Sequence, residues 1–508
     1  MMSAGSDLGD VPLTNYSGTL AGIGTVGSVI LYGPTVQAPE GAVIAPGVNG
    51  IGSLTIDGDF HSDRGVLQIQ TELGGDTSPT DLLVITGGTS GSTNVDVINL
   101  GGTGAPTVEG IRIIQVGGAS NGVFSLVSDY EFQGDPAVVA GAYAYRLYQG
   151  STSDPADGDW YLRSVLEREP EPEPEPPLYQ PGVPLYEAYA GALLGFIDIG
   201  SLQQRVGNRQ WTVVAEGADA VSEETVAQRQ LGIWAELRGF GGSFEPETST
   251  TGADYDLSSW KFKAGIDIPV ADLGAGDLIG GVSLHYGTFS ADVASVHGNG
   301  SIEGSGYGAG GTLTWYADNG FYVDGQGQVT WFDSDLESST AGLVLEDGNE
   351  GVGYALSLET GKRIALTPAW ATTPQAQLTY SAVEFDDFTD AFGADVSLDR
   401  AENLVGRLGI TLDRQAEWQG SGGSINRSHF YGIANLYYDF DGGSNVDVAG
   451  ADIESEDDAL WGGLGIGGSL NFADDKYSLY GEALAKTSLE NFGDSHSITG
   501  TVGFRMQW

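Results

Sequence analysis

The stretch Ser497-Ile-Thr-Gly-Thr-Val-Gly-Phe-Arg-Met-Gln-Trp508 decides how the rest of the chain is read. Ile498, Gly500, Val502, Phe504, Met506 and Trp508 alternate with Ser497, Thr499, Thr501, Gly503, Arg505 and Gln507, the period of a strand with one apolar and one polar face. A soluble antiparallel sheet shows the same period. Position separates the two: the apolar face stops on an aromatic residue at its edge, which a soluble domain has no reason to arrange. A membrane barrel is the expectation.

Working back from there, the same alternation continues to Arg229 in segments of ten or more residues. Strands are expected to begin near Gln230, Leu257, Leu278, Gly306, Phe321, Val352, Ala369, Leu404, His429, Leu460, Ser478 and Ser497, about twelve, an even number as bacterial barrels require. Short connections at Ala317 to Gly320, Leu366 to Ala369 and Phe472 to Lys476 alternate with long ones near Glu245 to Tyr255, Ser334 to Glu350 and Asp439 to Asp458. Short periplasmic turns and long outer loops give that asymmetry. Asp452, Glu454, Glu456, Asp457 and Asp458 read first as a solvated loop and second as a weak divalent-cation site.

Upstream, Pro184 to Val206 places Leu185, Ala188, Tyr189, Ala192, Leu193, Phe196, Ile199 and Val206 at largely helical spacing, predicting one amphipathic helix. Gly191 and Gly195 lower its propensity by about 1 kcal/mol each relative to Ala, and small residues suit a helix threaded through something narrow. Glu169 to Pro177 is an alternating Glu-Pro run, where fixed φ and like-charge repulsion predict a stiff, extended spacer. Before it, Ser53 to Ile56, Val66 to Gln70, Leu82 to Thr86, Val95 to Leu100 and Ile111 to Val116 are short apolar runs separated by Gly and Asn. Their fairly even spacing suggests stacked β rungs, with a β-sandwich as the alternative.

Composition bounds the functions. With 69 acidic and 20 basic residues the net charge is −49, which excludes the basic patches that nucleic-acid binding needs. The absence of cysteine from the 508 residues fits a chain that crosses an oxidising periplasm unfolded. No apolar run reaches the ~18 residues of a membrane helix. The start, Met-Met-Ser-Ala-Gly-Ser-Asp, lacks the features of a signal peptide, so an exported protein with this sequence is expected to have lost its beginning.

Arg229-Gln-Leu-Gly-Ile-Trp234-Ala-Glu-Leu-Arg238-Gly239, Gly306-Tyr-Gly-Ala-Gly310 and Trp315-Tyr-Ala-Asp-Asn-Gly320-Phe-Tyr-Val-Asp324 resemble the autotransporter β-domain of the monomeric type. Gly41-Ala-Val-Ile-Ala-Pro46-Gly47, Gly52-Ser-Leu-Thr-Ile56, Tyr143-Ala-Tyr145-Arg-Leu-Tyr148 and Asp159-Trp160-Tyr161-Leu162 resemble the C-terminal end of a pertactin-like passenger. The resemblance implies an all-β chain: a right-handed parallel β-helix, then a twelve-stranded antiparallel transmembrane barrel with an α-helix in its pore. Its expected parts are a passenger fragment over 1–166, a linker over 167–183, the pore helix over 184–210 and the barrel over 229–508.

The resemblance further implies an outer-membrane translocator and anchor that helps export and display its own passenger, an adhesin-type surface protein. Its partners would be outer-membrane lipid, the barrel-assembly machinery, periplasmic chaperones and a host surface ligand, with no cofactor, no metal and a monomeric barrel. Phe504, Met506 and Trp508 resemble the signal read by the barrel-assembly machinery. Some members of the family cut themselves at a pore asparagine, and Asn208 is the candidate here, although the paired asparagines of the best-known cleaving type are missing. A diffusion porin with an appended β domain, or the anchor of an enzymatic passenger not contained in this chain, are the alternatives.

No catalytic residue is expected. His61, His285, His297, His429 and His496 are widely separated, and Gly493-Asp-Ser495-His496 falls in an outer loop without an oxyanion motif. H-E-x-x-H and P-loop motifs are missing.

Overall fold

The computed structural model describes residues 2–9, 11–47, 50–166, 176–212, 225–227, 231–398, 400–420 and 423–508. Alternation in the second half produces a closed barrel of twelve long strands, each antiparallel to its neighbours. They are Gly232–Phe244, Asp254–Asp272, Gly276–Ser295, Gly298–Ala317, Phe321–Ser338, Leu343–Lys362, Trp370–Phe385, Ala401–Gln419, Ile425–Asp439, Leu460–Phe472, Tyr477–Ser488 and His496–Gln507. The first and last strands close the ring, with Trp234 opposite Arg505 and Gly239 opposite Gly500.

The faces are inverted relative to a soluble protein. Ile498, Val502 and Phe504 on the last strand point outward and are exposed, whereas Thr499, Thr501 and Arg505 point inward and are buried. Leu284, Leu408, Leu464 and Ile466 continue the exposed apolar belt around the wall. Such a surface is costly in water and favourable in lipid. Rings pack at both borders of the belt: Tyr307 on Trp331 at 5.9 Å, and Trp315 on Phe321 at 6.1 Å. Tyr307 and Trp315 are eight residues apart on one strand, ~26 Å at ~3.3 Å per residue, comparable to the apolar band of such barrels.

Several strands start earlier than the alternation predicts. Gly298–Ala317 and Leu343–Lys362 are each 20 residues long, about twice the length needed to span a bilayer. The expected loop from Ser334 to Glu350 is therefore largely strand, with Leu336 opposite Glu346 and Ser338 opposite Leu343. The cause is burial: Leu336 and Leu345 pack inward against an apolar core that rises above the membrane. The expected loops around 245–255 and 439–458 also contain strands. Thr248–Ser249, Ala451–Glu456, Ser444–Val448, Asp395–Ser397 and Phe388–Thr389 form a separate five-stranded outer sheet. Within it Asp452, Glu454 and Glu456 occupy the exposed face of a hairpin whose other face buries Val446, Val448 and Ile453.

The single amphipathic helix predicted over 184–206 is two helices, α1 at Val183–Ile197 and α2 at Leu202–Val206. The break has two causes. Asp198 leaves the helical path to meet Arg238 of the wall at 2.6 Å, and Ser201 starts α2 with a capping box to Gln204. α1 is also enclosed on most of its circumference: Leu185, Tyr186, Tyr189, Ala190 and Leu193 are all fully buried, and Gly191, Leu194 and Gly195 are half-buried. It lies inside the upper barrel against Tyr255, Leu257, Phe289, Phe332 and Phe385. Gly191 and Gly195 permit that fit, since a Cβ at either would lie 2.7 Å from Tyr255 Oη or Leu257 Cδ2.

In the first half the rungs are parallel: Val26 opposite Ile56, Leu67 opposite Val95, and Ile85 opposite Val116. That is a stacked solenoid, because a sandwich would pair its strands antiparallel. Ser53 to Ile56 and Val66 to Gln70, read as separate rungs, are the two ends of one 19-residue strand, Ser53–Thr71. It turns corners at Gly58 and at Arg64, whose φ is 59°. Antiparallel strands from Tyr130–Phe132 to Trp160–Arg163 close the solenoid towards the barrel. Most of the Glu-Pro run lies outside the described residues. Its flanks meet: Leu166 N donates to Pro176 O at 2.8 Å and Leu178 N to Ser164 O at 2.9 Å.

Candidate functional site: the filled lumen

Inward positions of the lower wall carry charges, and α2 is bound by them. Arg205 lies 2.8 Å from Asp324 and 3.8 Å from Asp267, all three buried. Arg209 takes the other oxygen of Asp267. Leu202 N donates to Glu359 at 3.0 Å, Gln204 to Glu482 at 2.7 Å, and Arg505 to the carbonyl of Val206. Glu359 is held in turn by Tyr322 at 2.6 Å and Arg407 at 3.2 Å. A five-residue helix in isolation would not persist; the wall supplies its stability.

The end of α1 is met in the same way. A helix leaves its last carbonyls without internal partners, and here Lys261 donates to Phe196 O and Gln328 to Ile197 O, both at 2.7 Å. Both donors project from the wall, and a cation at a helix C-terminus also complements the macrodipole. At the outer end Glu187 accepts from Ser249 at 2.6 Å, Thr250 N at 2.9 Å and Thr251 N at 3.0 Å. Asp390 of the outer loops accepts from Gln180 and Tyr186, both at 2.8 Å, and burial raises its pKa above the usual carboxylate range despite those bonds.

The helices do not fill the lumen evenly. Beside α1, on the side of the later strands, lies a polar cavity of about 250 Å³ whose lining includes Asp198, Arg238, Arg407, Tyr437, Glu482 and Lys486. This arrangement binds a polypeptide along its whole inside, by apolar packing above and by ion pairs below. The stalk joins it from outside: Tyr143 stacks on Tyr179 at 5.5 Å, and Tyr130 meets Phe392 of the outer loops at 6.3 Å.

Of the residues singled out in the sequence, Phe504 and Trp508 face outward and exposed, and Met506 is half-buried beside them. Asn208 is buried just beyond α2, close to Arg209, Tyr316, Tyr322 and Arg363. Ser495 is tied to the backbone of Glu245 by hydrogen bonds at 3.0 and 3.2 Å. His285 bonds Thr330 at 2.9 Å and His429 lies 3.3 Å from Asp413, so these two histidines belong to separate wall contacts. Sequence reasoning passed over Arg205, Asp267, Asp324, Glu359, Arg407, Glu482 and Arg505. Apart from Arg205, which stands on α2, their signal was a charge at the inward phase of a barrel strand.

Residues 235–483 match the family model of the autotransporter β-domain, and residues 25–147 that of the type 1 autochaperone domain. The adhesin BmaC autotransporter of Brucella suis biovar 1 (strain 1330) is 51% identical over 504 residues, 98% of this chain and 15% of that protein. The uncharacterized protein YdeU of Escherichia coli (strain K12) is 27% identical over 457 residues, 81% of this chain and 93% of its own length. Among solved structures, the transport unit of the autotransporter AIDA-I from Escherichia coli aligns with a TM-score of 0.46 at 16% identity, over 64% of this chain and all of that one. The chain thus spans about a seventh of its Brucella relative.

Proposed function

The chain belongs to the autotransporter family, and on that premise we propose that it anchors in the outer membrane a much longer adhesin-type passenger, whose membrane-proximal stalk is residues 1–166. The barrel is the translocator and anchor, and the stalk stands on the cell surface. One observation carries the proposal: Leu178, hydrogen-bonded to Ser164 of the stalk at 2.9 Å, stands five residues before a helix enclosed by the barrel, so stalk and anchor are joined where the helix begins. Adhesion as the passenger's activity rests on the Brucella relative's name and on the repetitive β surface of the stalk.

Export would draw on folding outside. Without ATP in the periplasm, the solenoid's rungs supply a favourable outward step, with the closing strands Tyr130–Phe132 to Trp160–Arg163 as the first template. Phe504, Met506 and Trp508 serve as the signal for the barrel-assembly machinery, periplasmic chaperones hold the chain beforehand, and the barrel works as a monomer. The passenger acts by binding a host surface ligand rather than by catalysis, and Asn208 is not cut, because the paired asparagines of the best-known cleaving type are missing and Asp324 and Asp267 of the network are engaged by Arg205 and Arg209.

Protease shaving of intact cells tests the topology, using the chain behind a signal peptide with an epitope before Tyr16. Loss of the epitope with survival of the barrel fragment is the expected result. An epitope protected until the cells are permeabilised would place the solenoid in the periplasm and overturn the proposal.

A further inference from the structure

Three connections meet at the outer rim on the side where the barrel closes. Glu247 comes from the connection between the first two barrel strands, Asp458 from the one leading into Leu460–Phe472, and Glu490 from the one between the last two strands. One carboxylate oxygen of each lies within 4.8 Å of those of the other two. Like charges this close repel. Among the described residues none of the three is ion-paired to Lys, Arg or His.

The cluster is built rather than adventitious in its middle member. Asp458 is 2% exposed. Its Oδ1 accepts from Asn491 Nδ2 at 2.9 Å, while Oδ2 is buried and accepts no hydrogen bond from the described residues. A buried, unpartnered carboxylate oxygen is expensive unless a cation meets it. Glu490 is fixed as well: one oxygen accepts from Ala459 N at 2.7 Å and from Leu460 N at 3.1 Å.

From these observations we propose that Glu247, Asp458 and Glu490 form a calcium site that clamps three outer connections together at the barrel's seam. The donors are all carboxylate oxygens, which select a hard cation. Their origin on three separate loops, two of the side chains being exposed, leaves room for water and no rigid octahedral cage, which favours calcium over magnesium. The site shares Asp458 with the lining of the cavity beside α1.

Trp461 provides the readout, because its indole Nε1 donates to the carbonyl of Asp458 at 2.8 Å. Terbium(III), a calcium substitute that emits when a neighbouring indole is excited, is titrated into the refolded full-length chain in detergent. The site requires saturable emission at one terbium per chain, displaced by calcium at submillimolar to millimolar concentration and by magnesium only at ~10-fold more. Asp458→Asn and Glu247→Gln should each weaken the emission-reporting site by at least about tenfold. Folding of each variant is checked by heat-modifiable gel mobility, and Glu247→Gln, on an exposed side chain, keeps the test open if Asp458→Asn does not fold. An unchanged titration in a folded variant, or displacement by magnesium as effective as by calcium, would overturn the proposal.

Discussion

The guanidinium of Arg205, on a helix of five residues, lies 2.8 Å from the carboxylate of Asp324 on the barrel wall, and both are buried. This pair, with Asp267 shared between Arg205 and Arg209, converts a short polar segment into the lower stopper of the lumen. Replacing one member leaves the others as buried, uncompensated charges, a loss of ~3–5 kcal/mol. Arg205→Ala should therefore lower the temperature at which the folded barrel loses its heat-modifiable mobility, and Arg205→Lys should restore only part of it, since the planar fork is lost.

Gly195→Leu should obstruct assembly where the helix meets the wall. A Cβ there already comes within 2.7 Å of Leu257, and forcing larger groups into a packed site costs ~1–3 kcal/mol. The matched control is Gly239→Ala, because a Cβ at Gly239 meets nothing within 4 Å. The fraction of protease-resistant barrel in the membrane, normal for the control and reduced for Gly195→Leu, is the measurement.

In the stalk, Asp76 accepts backbone hydrogen bonds from Val108 at 2.9 Å, Glu109 at 3.1 Å and Gly110 at 2.9 Å. Burial by itself would raise its pKa, but these three donors outweigh it and hold the carboxyl below its usual value. The stabilisation is thus fully present above the unfolded pKa of ~3.9 and is lost as pH falls through the lower folded value. Asp76→Ala should lower stalk stability by roughly 2 kcal/mol at pH 7, with a smaller difference from wild type at pH 3, read from urea unfolding of the exposed domain.

Asn208→Ala should leave the size of the membrane-embedded product unchanged. If the wild-type chain instead yields a fragment beginning at or next to residue 208 and the variant does not, the engagement of Asp267 and Asp324 by arginines does not prevent cleavage.

Trp508→Ser should reduce barrel assembly, with the chain accumulating in the periplasm. Its ring faces the lipid side with Phe504 and Met506, and normal surface levels of the variant would remove these residues from the assembly signal.

The barrel was legible because lipid and lumen impose opposite polarities on alternate residues, so Ile498 and Thr499 announce their faces directly. Strand ends were less legible. The alternation of Ser334, Leu336 and Ser338 with acidic residues looks like a polar loop until α1 supplies an apolar surface for Leu336 to cover. The helix break escaped notice because Asp198 and Ser201 act through partners distant in sequence or through local capping, here Arg238 and Gln204. The lumen network escaped for the same reason: Arg205, Asp324 and Glu359 are individually ordinary, and only closure of the ring brings them together. Parallel rungs were legible as short apolar runs, but the corner at Arg64 that joins two of them into one strand carries no sequence mark other than the following Gly65.

The central claim is that α1 and α2 occupy the barrel and make it an anchor instead of an open pore. Single-channel conductance in planar bilayers tests this most directly, comparing the refolded full chain with one lacking residues 183–206. The account predicts small, intermittent conductance for the full chain, carried by the polar cavity beside α1, and a large, steady increase on deletion. A large conductance that is the same with and without the helices would contradict it and make the barrel a diffusion porin.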